Sequence, residues 1–198
     1  RLAQRWSKSE RGPRDGARLF AGARSLLDRV LARAWSMPVR QAAPVPCNPR
    51  FDTTPHINVP EGLGIVEELN RRPAAIRDEV VEHARENLSR RRRLGDVDSA
   101  CPLVLNSGFC ACSSARPLTC RGRCCVGLEA PPGGEAWARK LGEAIDSGIE
   151  EELREQHLDA DRYDMNEVVL TLLEHPGSGE RWSRGEQVID NSHAGVRR

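Results

Sequence analysis

The feature that most constrains this sequence is the crowding of its cysteines. Six of the seven fall within residues 101–125, and Pro, Gly and Ser residues between them favour turns over helices and strands. A local cluster of thiols separated by turns is the pattern that a bound metal or a set of disulfides requires. The sequence therefore predicts an irregular cysteine-rich segment over about 96–130, and with it a candidate site. Its cysteines are Cys101, Cys110, Cys112, Cys120, Cys124 and Cys125, and Cys47 stands apart from them.

The cellular compartment determines whether a bound metal or a set of disulfides is expected. No stretch of the sequence approaches the ~18 apolar residues that span a bilayer. The first apolar run is broken by Asp28 and Arg29, unlike a secretory signal. These features predict a cytoplasmic protein, in which thiols stay reduced and tend to bind metal. A disulfide scaffold and a set of idle or reactive thiols are the competing interpretations.

Composition limits the size of the core and the kind of partner. A chain of 198 residues fits one ordinary domain, and an apolar fraction of 38% predicts a modest core. Charged residues make up 30% of the chain but nearly cancel, to a net charge of +1. This balance argues against general nucleic-acid binding.

Four regions are expected along the chain. They are a flexible basic arm over 1–16, an amphipathic helix over 17–36, a cysteine-cluster domain over 37–190 and a tail over 191–198. The helix has apolar residues at helical spacing over 17–35 and arginines on much of its other face. Such a helix could lie on a membrane surface or be an Arg-rich transit segment. Amphipathic helices more often face their own core, which favours packing against the domain.

The periodicity of the apolar residues predicts a mainly α fold, a small helical domain around the irregular cysteine segment. A short helix is expected from Pro60 to about Asn70, and a longer one between Pro73 and Gly95. Apolar residues of the longer helix repeat every four positions, at Ile76, Val80, Ala84 and Leu88. Its last turn is Arg90–Arg93, which we expect to be a solvated end whose cations complement the helix dipole.

Two further helices are predicted after the cysteine segment. The second begins at a capping box of Asp164 and Glu167, and it stops at Pro176-Gly177. A short helical piece is expected around 180–184, and no pair of alternating strands is evident. The helix that comes before the one capped by Asp164 is the first of the two. It carries apolar residues every four positions, at Trp137, Leu141, Ile145, Ile149 and Leu153.

A metal held by this segment needs three or four converging ligands. Cys101, Cys110 and Cys120 are the first candidates, and Arg121 beside Cys120 would favour the ionised sulfur. All-sulfur ligation suits zinc and an iron–sulfur cluster equally well. The spacing lacks the C-x-x-C pair of common zinc fingers. The fourth ligand is left open among Cys47, Cys112, Cys124 and Cys125.

The cysteine segment resembles the YkgJ-type cysteine-cluster family, also called the putative zinc- or iron-chelating domain. The motifs are Cys101-Pro-Leu, Gly108-Phe-Cys110 and Arg116-Pro117-Leu-Thr-Cys120-Arg121, in the family's order and close spacing. Weaker likeness extends over about residues 45–190. The resemblance implies Cys101, Cys110 and Cys120 as metal ligands, with Cys47 as the remaining upstream candidate.

The chain departs from this family upstream of the segment. A module of several cysteines is expected near residues 43–51, and only Cys47 is present, with Arg50-Phe51 where paired cysteines would fall. Cys112, Cys124 and Cys125 are extra relative to the usual pattern. The resemblance thus allows one metal site instead of two, a site rebuilt with the extra cysteines, or a member that binds nothing.

Three classes of function are compatible with these observations. The first is a small cytoplasmic metal-binding protein whose zinc or iron, including an iron–sulfur centre, is mainly structural. The second is a modifying enzyme, since the family's cysteine motifs are similar to those of flagellin lysine N-methylases, which pair a metal cluster with S-adenosylmethionine. The third is an interaction module that uses the basic helix over 17–35. No catalytic residues are assigned, because the histidines are dispersed and Glu150–Glu152 are expected to form a solvated helix face.

Overall fold

The computed structural model describes residues 55–95, 100–118, 120 and 134–189. The predicted arm over 1–16, the helix over 17–36 and the tail over 191–198 lie outside these residues, as do Cys47, Cys124 and Cys125. The fold is mainly α, as the periodicity predicted. None of the helices in the described part of the chain has the length and apolar character needed to cross a bilayer.

Five helices and one short strand pair make up the described structure. The strands are β1 (His56–Ile57) and β2 (Tyr163–Asp164). The helices are α1 (Val59–Asn70), α2 (Ala74–Leu94), α3 (Gly134–Glu155), α4 (Met165–Glu174) and α5 (Ser178–Ser183). The predicted bounds of α1, α2 and α3 agree with these within a few residues, because proline and glycine mark the ends that local sequence determines.

Helix α4 is the centre of the fold, in contact with α1, α2 and α5. Its start agrees with the predicted cap, since the Asp164 side chain accepts a hydrogen bond from the Asn166 amide at 2.7 Å. Half of its residues are buried, which places it inside the helical layer. They are Met165, Asn166, Val168, Val169 and Leu172.

The strand pair was not anticipated from the sequence. It is antiparallel, with His56 opposite Asp164 and Ile57 opposite Tyr163. Two-residue strands carry no alternating pattern, and the partners lie more than 100 residues apart in the sequence. The pair ties the start of α1 to the start of α4, so the two helices begin at one end of the core.

Helix α2 packs through a narrower stripe than the sequence predicted. Val80 and Ala84 are buried as expected, but the next buried position is Asn87 and not Leu88. Asn87 Nδ2 donates to Asn166 Oδ1 at 3.0 Å and to the Ala100 carbonyl at 2.7 Å. A buried amide is stable there because its donors have partners.

The last turn of α2 differs in part from the expected solvated end. Arg90, Arg92 and Arg93 are exposed. Arg91 is half-buried, and its Nη1 lies 3.3 Å from Asp164 Oδ2. The expectation is therefore wrong for Arg91, which joins α2 to the cap of α4 through an ion pair that sequence spacing could not indicate.

Helix α3 confirms the predicted four-residue stripe over the residues whose side chains are described. Ile149 and Leu153 are buried, and Leu141 and Ile145 pack partly buried against the same core. Glu150 corrects another expectation, since its side chain is only 17% exposed and accepts from Arg162 Nε at 2.6 Å. Arg162 also pairs with the buried Asp146, one turn before Glu150.

Gly62 lies where α1 and α4 approach each other closely. A Cβ at this position would lie 2.8 Å from Leu172 Cδ1 and closer still to Val168 Cγ1. Gly62→Ala should therefore lower the free energy of unfolding by about 1–3 kcal/mol, the usual cost of overpacking. Chemical denaturation measures this directly.

Gly148 in α3 is the matched control, because a Cβ there meets nothing within 4 Å. Gly148→Ala should raise stability by roughly 0.5–1 kcal/mol through the better helix propensity of alanine. Equal effects of the two substitutions would contradict the close packing of α1 on α4.

Candidate functional site in the cysteine segment

The cysteine segment, described over residues 100–118 and at 120, begins with a hairpin over 101–111. The Leu105 amide donates to the Phe109 carbonyl at 2.9 Å, and the Ala111 amide donates to the Leu103 carbonyl at 2.8 Å. Val104 and Cys110 form an antiparallel bridge between the two arms. Gly108 makes the turn possible with a φ of 79°, a conformation that glycine adopts without strain.

The hairpin sorts the cysteines into two environments. Cys101 and Cys110, one on each arm, are half-buried. Cys112 is fully buried, and Cys120, beyond the hairpin, is 7% exposed. The structure therefore places two sulfurs where solvent reaches the hairpin and two in the interior.

Cys112 has the surroundings of a core residue. Its thiol donates to the Ile65 carbonyl in α1, with 3.8 Å between sulfur and oxygen. Burial raises the pKa of Cys112 well above its ordinary value, and the charges of Glu68 and Cys110 raise it further. A thiol in this position is neutral and acts as a small apolar side chain.

Two of the predicted metal ligands, Cys101 and Cys110, lie one on each arm of the hairpin. Within residues 55–95, 100–118, 120 and 134–189, no group of three His, Cys, Asp or Glu side chains could hold a metal ion. Cys101 and Cys110 fit a soft metal by their sulfur chemistry and their partial exposure. A complete ligand set with these two needs donors outside the described residues, where Cys47, Cys124 and Cys125 lie.

Glu68 of α1 holds the backbone after Cys112. Its Oε2 accepts from the Ala115 amide at 2.7 Å and from the Ser114 hydroxyl, and its Oε1 accepts from Arg72 Nη2 at 2.7 Å. Burial alone would raise the pKa of Glu68, but the hydrogen bonds from Ser114, Arg72 and Ala115 outweigh it and leave the pKa below its ordinary value. The carboxylate is therefore charged at neutral pH.

Glu61 holds the next part of the segment in the same way. This residue is fully buried, and its Oε1 accepts from the Leu118 amide at 2.9 Å. Glu61 and Glu68 are seven residues apart, two turns of α1, so both carboxylates lie on one face of the helix. Together they hold the backbone on either side of Arg116-Pro117, the first two residues of the motif that contains Cys120.

Helix α2 holds the start of the segment. Glu79 Oε1 accepts from the Asn106 amide at the hairpin turn, at 2.6 Å. Asn87 Nδ2 donates to the Ala100 carbonyl beside Cys101. These contacts and the two carboxylates of α1 were missed by sequence reasoning, because charged residues in an amphipathic helix usually face solvent.

Comparison with known proteins adds no relatives. A scan against models of protein families found no match, and searches of curated proteins and of solved structures found none either. The resemblance to the YkgJ-type family stays a prediction that rests on the three motifs of the cysteine segment.

Replacement of Glu68 by glutamine tests whether its charge anchors the segment. Glu68→Gln keeps the shape of the side chain but removes the charged acceptor, and should lower the free energy of unfolding by roughly 1.5–3 kcal/mol at neutral pH. Because folding lowers the pKa of Glu68, this stabilisation is present above its ordinary pKa of 4.5 and is lost as pH falls through the folded value. The gap between wild type and Glu68→Gln should therefore narrow in acid.

Urea denaturation across this pH range measures that gap. Glu67→Gln is the control, since Glu67 lies on the same helix with its side chain 59% exposed and paired only with Arg71 among the described residues. Its effect should stay below about 1 kcal/mol. A gap for Glu68→Gln that does not depend on pH would contradict the anchoring role of the charge.

Proposed function

We propose that this chain is a metal-binding protein that holds zinc or iron through its cysteine segment. The observation that carries the proposal is the hairpin over 101–111, which leaves Cys101 and Cys110 half-buried while Cys112 is committed to the core. Cys101 and Cys110 lie one on each arm of this hairpin and pack only partly buried against the core. Partly exposed cysteines on a fixed backbone are suited to capture an ion.

The ligand set proposed here is Cys101 and Cys110, with further sulfurs from Cys47, Cys124 or Cys125. Cys120, which the resemblance implies as a third ligand, does not form a group with these two that could hold a metal ion among the described residues. Metal bound by thiolates would be tetrahedral zinc or an iron–sulfur cluster. Cys112 is the weakest candidate of the four described cysteines, since ligation would break its contact with Ile65 and place a charge in the core. The chain's own part is to hold the segment in place and to exclude water from its inner side.

Metal content tests this proposal. The protein is purified without oxygen, and metal, acid-labile sulfide and the visible spectrum are measured for wild type, Cys101→Ser and Cys110→Ser. We expect about one metal centre per wild-type chain and a severalfold loss in each variant, because serine is a poor ligand for soft metals.

Cys112→Ala is the matched control, because it removes a cysteine from the same segment that the proposal does not use. It should lose some stability but keep its metal. Zinc without visible absorption would identify a zinc site, whereas iron with sulfide would identify a cluster and support the methylase-like alternative. Wild-type protein without metal, or equal loss in all three variants, would overturn the proposal.

A further inference from the structure

We infer that side chains of α1 and α2, and not the metal, hold residues 100–118 in place, so the segment keeps its fold when the proposed metal is absent. The inference rests on the proposed function and specifies what kind of metal site the cysteine segment would form. The sequence favoured a mainly structural metal, which would order an otherwise unfolded loop. The contacts of the cysteine segment point to a site whose scaffold stands before the metal arrives.

The first argument is the supply of hydrogen bonds to the segment's backbone. In the described part, side chains of the two helices bind the amides of Asn106, Ala115 and Leu118 and the carbonyl of Ala100. These groups are spread over the whole segment, from the residue before Cys101 to the turn before Cys120. An irregular loop is otherwise costly to bury, since its polar groups need partners.

The second argument is burial. Leu103, Cys112 and Leu118 are at most 1% exposed and belong to the same core as α1 and α4. Gly142 of α3 also approaches the segment closely, since a Cβ there would lie 3.3 Å from the Leu118 carbonyl oxygen. The segment is thus a layer of the core, and removal of a metal would leave this packing unchanged.

The third argument is the contrast with small structural zinc modules. Such modules lack a core of their own and unfold when metal is removed, because binding supplies most of the folding free energy. Here α1, α2 and α4 pack on one another directly, and Cys101 and Cys110 lie only partly buried against the core that these helices share. The helical core therefore does not need the proposed metal to fold.

Amide hydrogen exchange of the full chain tests the inference. The metal-loaded protein is compared with the same protein after treatment with a chelator and a thiol reductant. The probes are the Ala115 and Leu118 amides, which donate to Glu68 and Glu61. We expect metal removal to change their exchange rates by less than about tenfold, and added zinc to restore the original metal content without a refolding step. Exchange of both amides at the rate of an unfolded chain after metal removal would overturn the inference.

Two variants show whether the carboxylates are responsible for the protection. In metal-free protein, Glu68→Gln should speed exchange at Ala115 by about ten- to hundredfold, and Glu67→Gln should leave it unchanged. Equal exchange in both variants would count against the inference. If Glu68→Gln does not fold, the wild-type comparison with and without metal decides alone.

The two proposals can fail separately. Protein that never carries metal refutes the proposed function, but the protection of Ala115 and Leu118 in that protein still shows whether the segment holds itself in place. Protein that carries metal and loses the protection with it supports the proposed function and refutes the metal-independent scaffold.

Discussion

The structure around the cysteine segment depends on two buried carboxylates of one helix. Glu61 and Glu68 lie two turns apart on α1 and accept from backbone amides of Leu118 and Ala115. Ala115 and Leu118 lie beyond the hairpin over 101–111, and their buried amides need an acceptor from outside the segment. The charge on Glu68 makes its bonds stronger than those between neutral groups. Arg72 offsets part of the cost of burying Glu68.

Local sequence patterns were sufficient to predict most of the helices. Pro73 and Gly95 flank α2 as predicted, and Asp164 caps α4, because helix ends are determined by the few residues beside them. The stripe of Leu141, Ile145, Ile149 and Leu153 likewise reflects contacts within a single helix face. These features need no knowledge of where the rest of the chain lies. The segment lacks a regular element over 100–117 apart from the bridge in its hairpin, as predicted, whereas Leu118 and Cys120 are helical.

The candidate site could be predicted only in outline, because its supporting contacts join distant parts of the sequence. Glu68 binds a segment 47 residues away, and Glu61 binds one 57 residues away. In the sequence both look like the polar residues of an amphipathic helix. Asn87 is a similar case, since it replaces Leu88 in the buried stripe only because Asn166 and Ala100 provide partners for its amide. The periodicity of apolar residues shows which helix face is buried. It does not show a polar residue that is buried because it has hydrogen-bond partners.

The same contacts bear on what a metal could contribute to this protein. A cluster of cysteines in an irregular loop suggests a metal that organises the loop, since turns alone bury little surface. In the described part of this chain that task is performed by Glu61, Glu68, Glu79 and Asn87, together with the buried Leu103 and Leu118. The sulfurs of Cys101 and Cys110 are then not required to hold the backbone, and their partial exposure becomes their most informative property. Ligands on a scaffold that is stable without metal would lose little conformational entropy on binding, so the binding energy of a metal would add to its affinity and would not be needed to fold the loop.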